Sequence, residues 1–260
     1  MIPRIIHYCW FGRGLMPQAQ EDCIKGWRRL MPDWEMIRWD EGNFDINLCP
    51  YTAEAYREKK WAFVADVARL KALHETGGVY LDTDVELFAP LEPFLDNRLF
   101  SGLEIYRDEF ERDGKPLLDS DGRPLEPMTN IPCCGFLSAV LGAEAGHPLV
   151  EECYRHYLGR TPRKADGPLD YIVIDGLLAA HAVKYGFRYV DREQLLPTMS
   201  IYSPARFAYA GVPCTGQAVL YHHTAWSWMP KNRRQRLFLA LDRLHLLKPY
   251  HALKKKLLHR

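Results

Sequence analysis

No stretch of this 260-residue chain approaches the ~20 consecutive apolar residues needed to cross a bilayer. Its opening, Met1-Ile2-Pro3-Arg4-Ile5-Ile6-His7-Tyr8, lacks the long apolar segment of a secretory leader. A cytoplasmic protein, soluble or peripheral at the membrane, is therefore expected. No C-x-x-C spacing occurs. The seven cysteines are odd in number and their only close pair is Cys133-Cys134, so neither a disulfide framework nor a zinc site is indicated. Reduced thiols fit best. Net charge is also lacking, at +1, which gives no reason to expect nucleic acid as a partner. No internal repeat is present.

What is present is enough apolar material for one sizeable core, 47% of residues, in a length suited to one large α/β domain. Ile2 to Trp10 reads as a buried first strand ending at Phe11-Gly12. Pro17 to Met31 reads as a helix with Cys23, Trp27 and Leu30 on one face, broken at Pro32-Asp33. Trp34 to Trp39 alternates as a second strand does. This β-α-β order predicts a nucleotide-binding half with a largely parallel sheet. Ala62 to Thr76 is a strong helix stopped by Gly77-Gly78, and Val79-Tyr80-Leu81 starts another strand. Leu87 to Phe94 carries two prolines and leaves the sheet. Residues 106–127 are polar and turn-rich and predict an exposed loop or hairpin. Apolar character returns at Gly135-Phe136-Leu137. Helices follow at Pro148–Leu158 and Tyr171–Tyr185, and Val219-Leu220-Tyr221 is a last short strand leading to His222-His223.

The even charge hides an asymmetry. From Lys231 onward ten basic residues face one acid, Asp242, so the tail carries about +9 and the rest about −8. Phe238, Leu241, Leu244 and Leu247 recur at helical spacing among those charges. Residues 231–260 are thus expected to form a basic amphipathic helical tail able to lie on an anionic membrane surface.

Asp82-Thr83-Asp84 is the chemical centre of the sequence. If the strand continues through it, the two carboxylates project to one side, roughly 7 Å apart. They repel unless a cation lies beside them. Hard divalent ions take such oxygen ligands and share them with phosphates. A second D-x-D, Asp119-Ser120-Asp121, precedes Gly122 in a polar stretch with no strand before it, and reads as a turn. Asp66 and Arg69 sit three apart in the most apolar helix, where they can pair on one face.

Three segments together carry a resemblance: Ile2-Pro3-Arg4-Ile5-Ile6-His7-Tyr8-Cys9-Trp10-Phe11-Gly12, Ala65-Asp66-Val67-Ala68-Arg69 and Gly77-Gly78-Val79-Tyr80-Leu81-Asp82-Thr83-Asp84. The chain resembles glycosyltransferase family 32, the DXD sugar-transferase family of yeast initiating mannosyltransferases, bacterial capsule and lipopolysaccharide enzymes and clostridial glucosylating toxins. The resemblance runs from residue 2 to about 95 and resumes at 130–135, 146–148 and 222–228. It does not cover 106–127 or 231–260.

The resemblance implies a GT-A type nucleotide-sugar transferase fold of the α/β class, a central mostly parallel sheet flanked by helices, here with a helical C-terminal extension. Residues 1–105 would form the nucleotide-sugar half, 106–230 the acceptor half, and 231–260 the tail. It also implies Mn²⁺ or Mg²⁺, a nucleotide-sugar donor with UDP favoured, and retention of the anomeric configuration. Trp10 would contact the base. Asp66, Arg69 and Tyr80 would line the donor sugar and phosphate, with Asn130 on the sugar. Asp82 would face ribose and metal, and Asp84 would ligate metal directly. His222 or His223 would complete the metal site, with Ser227 and Trp228 near the diphosphate. Trp226 replaces a residue that is commonly small in the family, which leaves the choice between the two histidines open. The expected acceptor is a glycan or lipid-linked oligosaccharide in bacterial surface polysaccharide synthesis. With no second catalytic carboxylate evident, a diphosphate oxygen is the expected proton acceptor.

Two other readings remain at this stage. A haloacid-dehalogenase-like phosphohydrolase also places D-x-D after an apolar strand, but usually has Thr or Val where this chain has Glu86. A non-catalytic nucleotide-sugar or glycan-binding module would keep the site without the reaction.

Overall fold

The computed structural model describes residues 1–160 and 173–224. Ten strands and six helices follow in chain order among them: β1 (Ile5–Cys9), α1 (Gln18–Leu30), β2 (Glu35–Trp39), α2 (Pro50–Arg57), α3 (Trp61–Thr76), β3 (Gly78–Leu81), β4 (Val85–Leu87), β5 (Leu99–Ile105), the single turn α4 (Arg107–Glu109), β6 (Cys134–Ala143), α5 (Pro148–Leu158), α6 (Ile174–Ala182), β7 (Gln194–Leu195), β8 (Ser200–Tyr202), β9 (Phe207–Tyr209) and β10 (Leu220–His222). The main sheet has the order β2-β1-β3-β6-β5-β8-β7. The pairings make five of its seven strands run one way, with β6 and β7 reversed. A small second sheet, β4-β10-β9, lies beside it. The expected mostly parallel sheet flanked by helices is observed.

The sheet divides two apolar layers. On one side α3, α5 and α6 form the larger core with Val64, Leu70, Leu73, Phe136 and Leu178. On the other, α1 contributes Trp27, which packs with Tyr8, Val79, Leu81 and Val85. Helix α3 needs no amphipathic stripe, because it is buried almost all round from Phe63 to Leu73. Gly77 ends it at φ 68°, where a Cβ would meet the Ala145 amide at 2.7 Å.

Several elements differ from expectation. Residues 99–105 and 134–143 form the long central pair β5 and β6, of which only Gly135-Phe136-Leu137 stood out in the sequence. Every residue of β6 is buried, so its run of apolar and small residues lacks the alternation that marks a half-exposed strand. Because β6 inserts between β3 and β5, one continuous sheet crosses the division drawn at 105/106. The polar segment 106–127 is not uniformly exposed: it opens with α4 and a π-helical turn (Phe110–Gly114) that buries Phe110. Tyr171, the expected start of α6, and the tail 231–260 lie outside the described residues.

Candidate active site

Strand β3 ends at Leu81, and Asp82-Thr83-Asp84 is a turn joining it to β4. The amide of Val85 donates to the Asp82 carbonyl at 3.0 Å and closes that turn. The expected alternation along a strand is therefore corrected: the chain folds back, and the turn rather than a pleat brings the two carboxylates together. Helix α1 fastens it, since the Trp27 indole N–H donates to the Val85 carbonyl at 2.8 Å.

Strand β10 supplies the third group. It pairs antiparallel with β4 in a register that sets His222 opposite Val85, one residue past Asp84. Ligand atoms of Asp82, Asp84 and His222 lie within 4.8 Å of one another. The His222 Nε2 is 3.4 Å from Asp84 Oδ1. Its Nδ1 is buried without a hydrogen-bond partner. His223 points elsewhere, to Glu86 Oε2 at 3.1 Å. The pair left open by the sequence is thus separated: His222 joins the acids and His223 does not.

Burial alone lowers the His222 pKa, but Asp84, with Asp82 and Glu104 further off, outweighs it and raises it to about 9. A proton thus occupies the place a cation would take. Two carboxylates and an imidazole, crowded together and holding a proton against burial, form a donor set that suits Mn²⁺ and, less well, Mg²⁺.

Beside this cluster lies the α3 pair. Arg69 Nη2 is 3.0 Å from Asp66 Oδ1 and 3.4 Å from Asp82 Oδ1. Its Nη1 donates to the Ser138 carbonyl and hydroxyl. Asp66 and Arg69 are 5% and 4% exposed, which rules out a surface ion pair of little consequence. Burial pushes the Asp66 carboxyl up to about 7 against the pull of Arg69. Tyr80 donates its hydroxyl to Asp82 Oδ1 at 2.8 Å, and the Arg69 guanidinium lies 4.3 Å over its ring. Asp82 is thereby oriented by two partners, while Asp84 is held mainly by His222.

All these groups open on one cleft of about 750 Å³, whose lining also includes Trp10 and Asn130. Trp10 donates its indole N–H to the Gly14 carbonyl at 2.8 Å, which holds the ring at the cleft wall. Asn130 packs against Gly176, where a Cβ would meet its Oδ1 at 2.1 Å. Cys133 and Thr224 also line the cleft, at φ 63° and 48°, a conformation that costs non-glycine residues energy and often marks functional sites. Ser227 and Trp228 lie outside the described residues. The second D-x-D is a turn as expected: the Asp119 carboxylate accepts from the amides of Asp121 and Arg123, and Gly122 has φ 76°.

Two acids of the cleft were not anticipated. Glu104 on β5 and Asp175 in the first turn of α6 both face it. Their presence corrects the expectation that no further carboxylate stands near the reaction. The one signal in the sequence was a lone acid inside an apolar run, Leu103-Glu104-Ile105 and Val173-Ile174-Asp175.

Residues 17–101 match the sequence family described as "Glycosyltransferase sugar-binding region containing DXD motif". This stretch is a glycosyltransferase sugar-binding region. It holds Asp66, Arg69, Tyr80 and both aspartates of the turn. Inositol phosphoceramide mannosyltransferase 1 of Schizosaccharomyces pombe is 28% identical over 110 residues, 38% of this chain and 33% of the relative. Inositol phosphoceramide mannosyltransferase 3 of the same yeast is 33% identical over 105 residues, 36% of this chain and 27% of the relative. The chain thus matches about a third of the length of these curated relatives. Among solved structures, the PaToxG glycosyltransferase aligns over 70% of each chain at 14% identity and TM-score 0.46. The galactosyltransferase LgtC aligns over 92% of this chain and 95% of its own at 13% identity and TM-score 0.46.

Proposed function

We propose that the chain is a metal-dependent glycosyltransferase of GT-A type, moving a hexose or N-acetylhexosamine from a nucleotide-sugar donor, UDP-linked by preference, to a glycan or lipid-linked acceptor. The observation that carries this reading is the convergence of Asp82, Asp84 and His222 beside the buried Asp66–Arg69 pair, inside a matched sugar-binding region. Asp82, Asp84 and His222 would hold Mn²⁺ or Mg²⁺, which when bound supplies Lewis-acid stabilisation of charge on a departing diphosphate. Arg69 is preorganised: with Asp66, Asp82 and Ser138 around it, it adds a fixed positive charge next to the donor without rearranging. Asp66 and Tyr80 would line the sugar and phosphate, Asn130 the sugar, and Trp10 the base.

The transfer is proposed to retain the anomeric configuration, on the family resemblance; an inverted product anomer in an NMR-followed reaction would overturn that. The acceptor is proposed to belong to surface polysaccharide synthesis at the cytoplasmic membrane face, on the resemblance and on the charge of residues 231–260. A second donor reading has its own support. Both curated relatives are named as mannosyltransferases, so GDP-mannose stands beside the UDP-sugars.

The test is a screen of nucleotide sugars for binding and hydrolysis with and without MnCl2. Cation-dependent hydrolysis of one donor is expected. Binding without turnover points to a binding module instead. Phosphate release from small phosphomonoesters, with no response to any nucleotide sugar, points to the phosphohydrolase.

A further inference from the structure

Glu104 and its surroundings form a second polar corner of the cleft, outside the segment that matches the sugar-binding family. Strand β5 delivers Glu104 between two core residues, Leu103 and Ile105, opposite Gly135 of β6. Its backbone is braced from below: the Tyr209 hydroxyl accepts from the Ile105 amide at 2.7 Å and donates to the Ile105 carbonyl at 2.8 Å. Its side chain is braced from above by the Tyr106 hydroxyl, which donates to Glu104 Oε1 at 2.6 Å. The Tyr106 ring leans in turn on Tyr209 at 6.0 Å. A carboxylate on a strand, fixed from both ends, is a positioned group and not a solvated surface charge.

The opposite side of this corner is Asp175. Its Oδ1 accepts from the Ser138 amide at 3.0 Å. Gly135 lets α6 come this close, since a Cβ there would stand 3.0 Å from the Asp175 carbonyl oxygen. Among the described residues no lysine or arginine forms an ion pair with Glu104 or Asp175, and Tyr106 is the hydrogen-bond partner of Glu104. Two acids without a basic partner repel phosphate and carboxylate groups. They readily accept hydrogen bonds from the hydroxyls of an uncharged sugar.

Depth in the cleft separates this corner from the donor side. Asp66 and Arg69 are almost fully buried, whereas Glu104 and Asp175 are half-buried and Tyr106 is 37% exposed. The group nearer the mouth meets the substrate that arrives over the one already seated. We propose that Glu104, held by Tyr106, binds a hydroxyl of the acceptor, and that the acceptor end entering the cleft is an uncharged polyol and not a phosphorylated or carboxylated sugar. This rests on the reading of the Asp82–Asp84–His222 corner as the donor side.

The experiment uses the full chain with MgCl2 and either UDP or GDP, whichever binds by calorimetry. Methyl glycosides of mannose, glucose and galactose are then titrated by saturation-transfer NMR, alongside mannose 6-phosphate. The expected result is that a neutral glycoside binds and mannose 6-phosphate does not. Glu104→Gln should weaken the glycoside about tenfold, the scale of losing a charge-assisted hydrogen bond. Nucleotide affinity should stay within about twofold. Tyr106→Phe, which leaves the carboxylate in place but unbraced, should weaken the glycoside by a smaller factor and guards against a folding defect in the first variant. Nucleotide binding with every neutral glycoside silent, an unchanged glycoside affinity in Glu104→Gln, or tighter binding of mannose 6-phosphate overturns the inference alone. Failure of both nucleotides to bind overturns the donor-side reading and the inference with it.

Discussion

Adjacent histidines meet different fates here because a β-ladder alternates. His222 turns towards Asp84 and His223 towards Glu86. His222→Ala should therefore weaken Mn²⁺ binding by on the order of 100-fold, at or above the scale seen for groups that merely orient ligands. His223→Ala should leave it nearly unchanged. Titration of both variants with MnCl2 by calorimetry decides, and equal losses would contradict the assignment. The proton on His222 adds a pH signature. Its folded pKa is raised to about 9 from 6.5, so in the cation-free chain it contributes stability fully present below 6.5 and lost as pH rises through about 9. A ligating imidazole must be neutral, so Mn²⁺ affinity should fall with pH below about 9, by at most about tenfold per unit, with about one proton released per ion at neutral pH. Calorimetry in buffers of different ionisation enthalpy measures that release. At this scale Asp66, Arg69, Tyr80, Asp82 and Asp84 were legible because a helix, a glycine stop and a strand precede the acids in a recognisable order. Glu104 and Asp175 were not. Nothing local in the sequence says that β5 and α6 meet across Gly135.

The elements that hold the site owe their fit to small residues more than to propensity. Gly142 on β6 lies under Phe100 of β5, and a Cβ there would stand 2.1 Å from the ring. Phe100 is fully buried between Phe94 and Phe207 and has nowhere to turn. Gly142→Ala should thus destabilise the fold by about 1–3 kcal/mol through overpacking. A clear drop in the thermal midpoint, with Mn²⁺ binding kept below it, is expected; an unchanged midpoint would show that β5 and β6 pack more loosely than described. Strand β1, helices α1 and α3 and strand β3 were readable from periodicity and stop signals. Strands β5 and β6 were not, because strands buried on both faces lose their alternation, and β10 is too short to announce its register.

Over the whole molecule, charge is divided as sharply as structure. The tail from Lys231 carries about +9 and the remainder about −8. Basic residues near an anionic bilayer contribute about 1 kcal/mol each, less with added salt. The full chain should co-sediment with phosphatidylserine vesicles at low salt, and removal of residues 231–260 should abolish this; equal partitioning of the two would remove the membrane from the account. The cleft, in contrast, is acidic on both sides, with Arg69 as the buried counter-charge. An acidic cleft accommodates a nucleoside diphosphate only when a cation accompanies it. The most direct measurement is calorimetric titration of UDP and GDP into the wild-type chain and Asp84→Ala, each with and without MnCl2. At least one nucleotide should bind the wild type only with Mn²⁺, and Asp84→Ala should lose that binding while keeping its circular dichroism spectrum. Nucleotide binding that is indifferent to Mn²⁺, or unchanged in Asp84→Ala, would contradict the central claim.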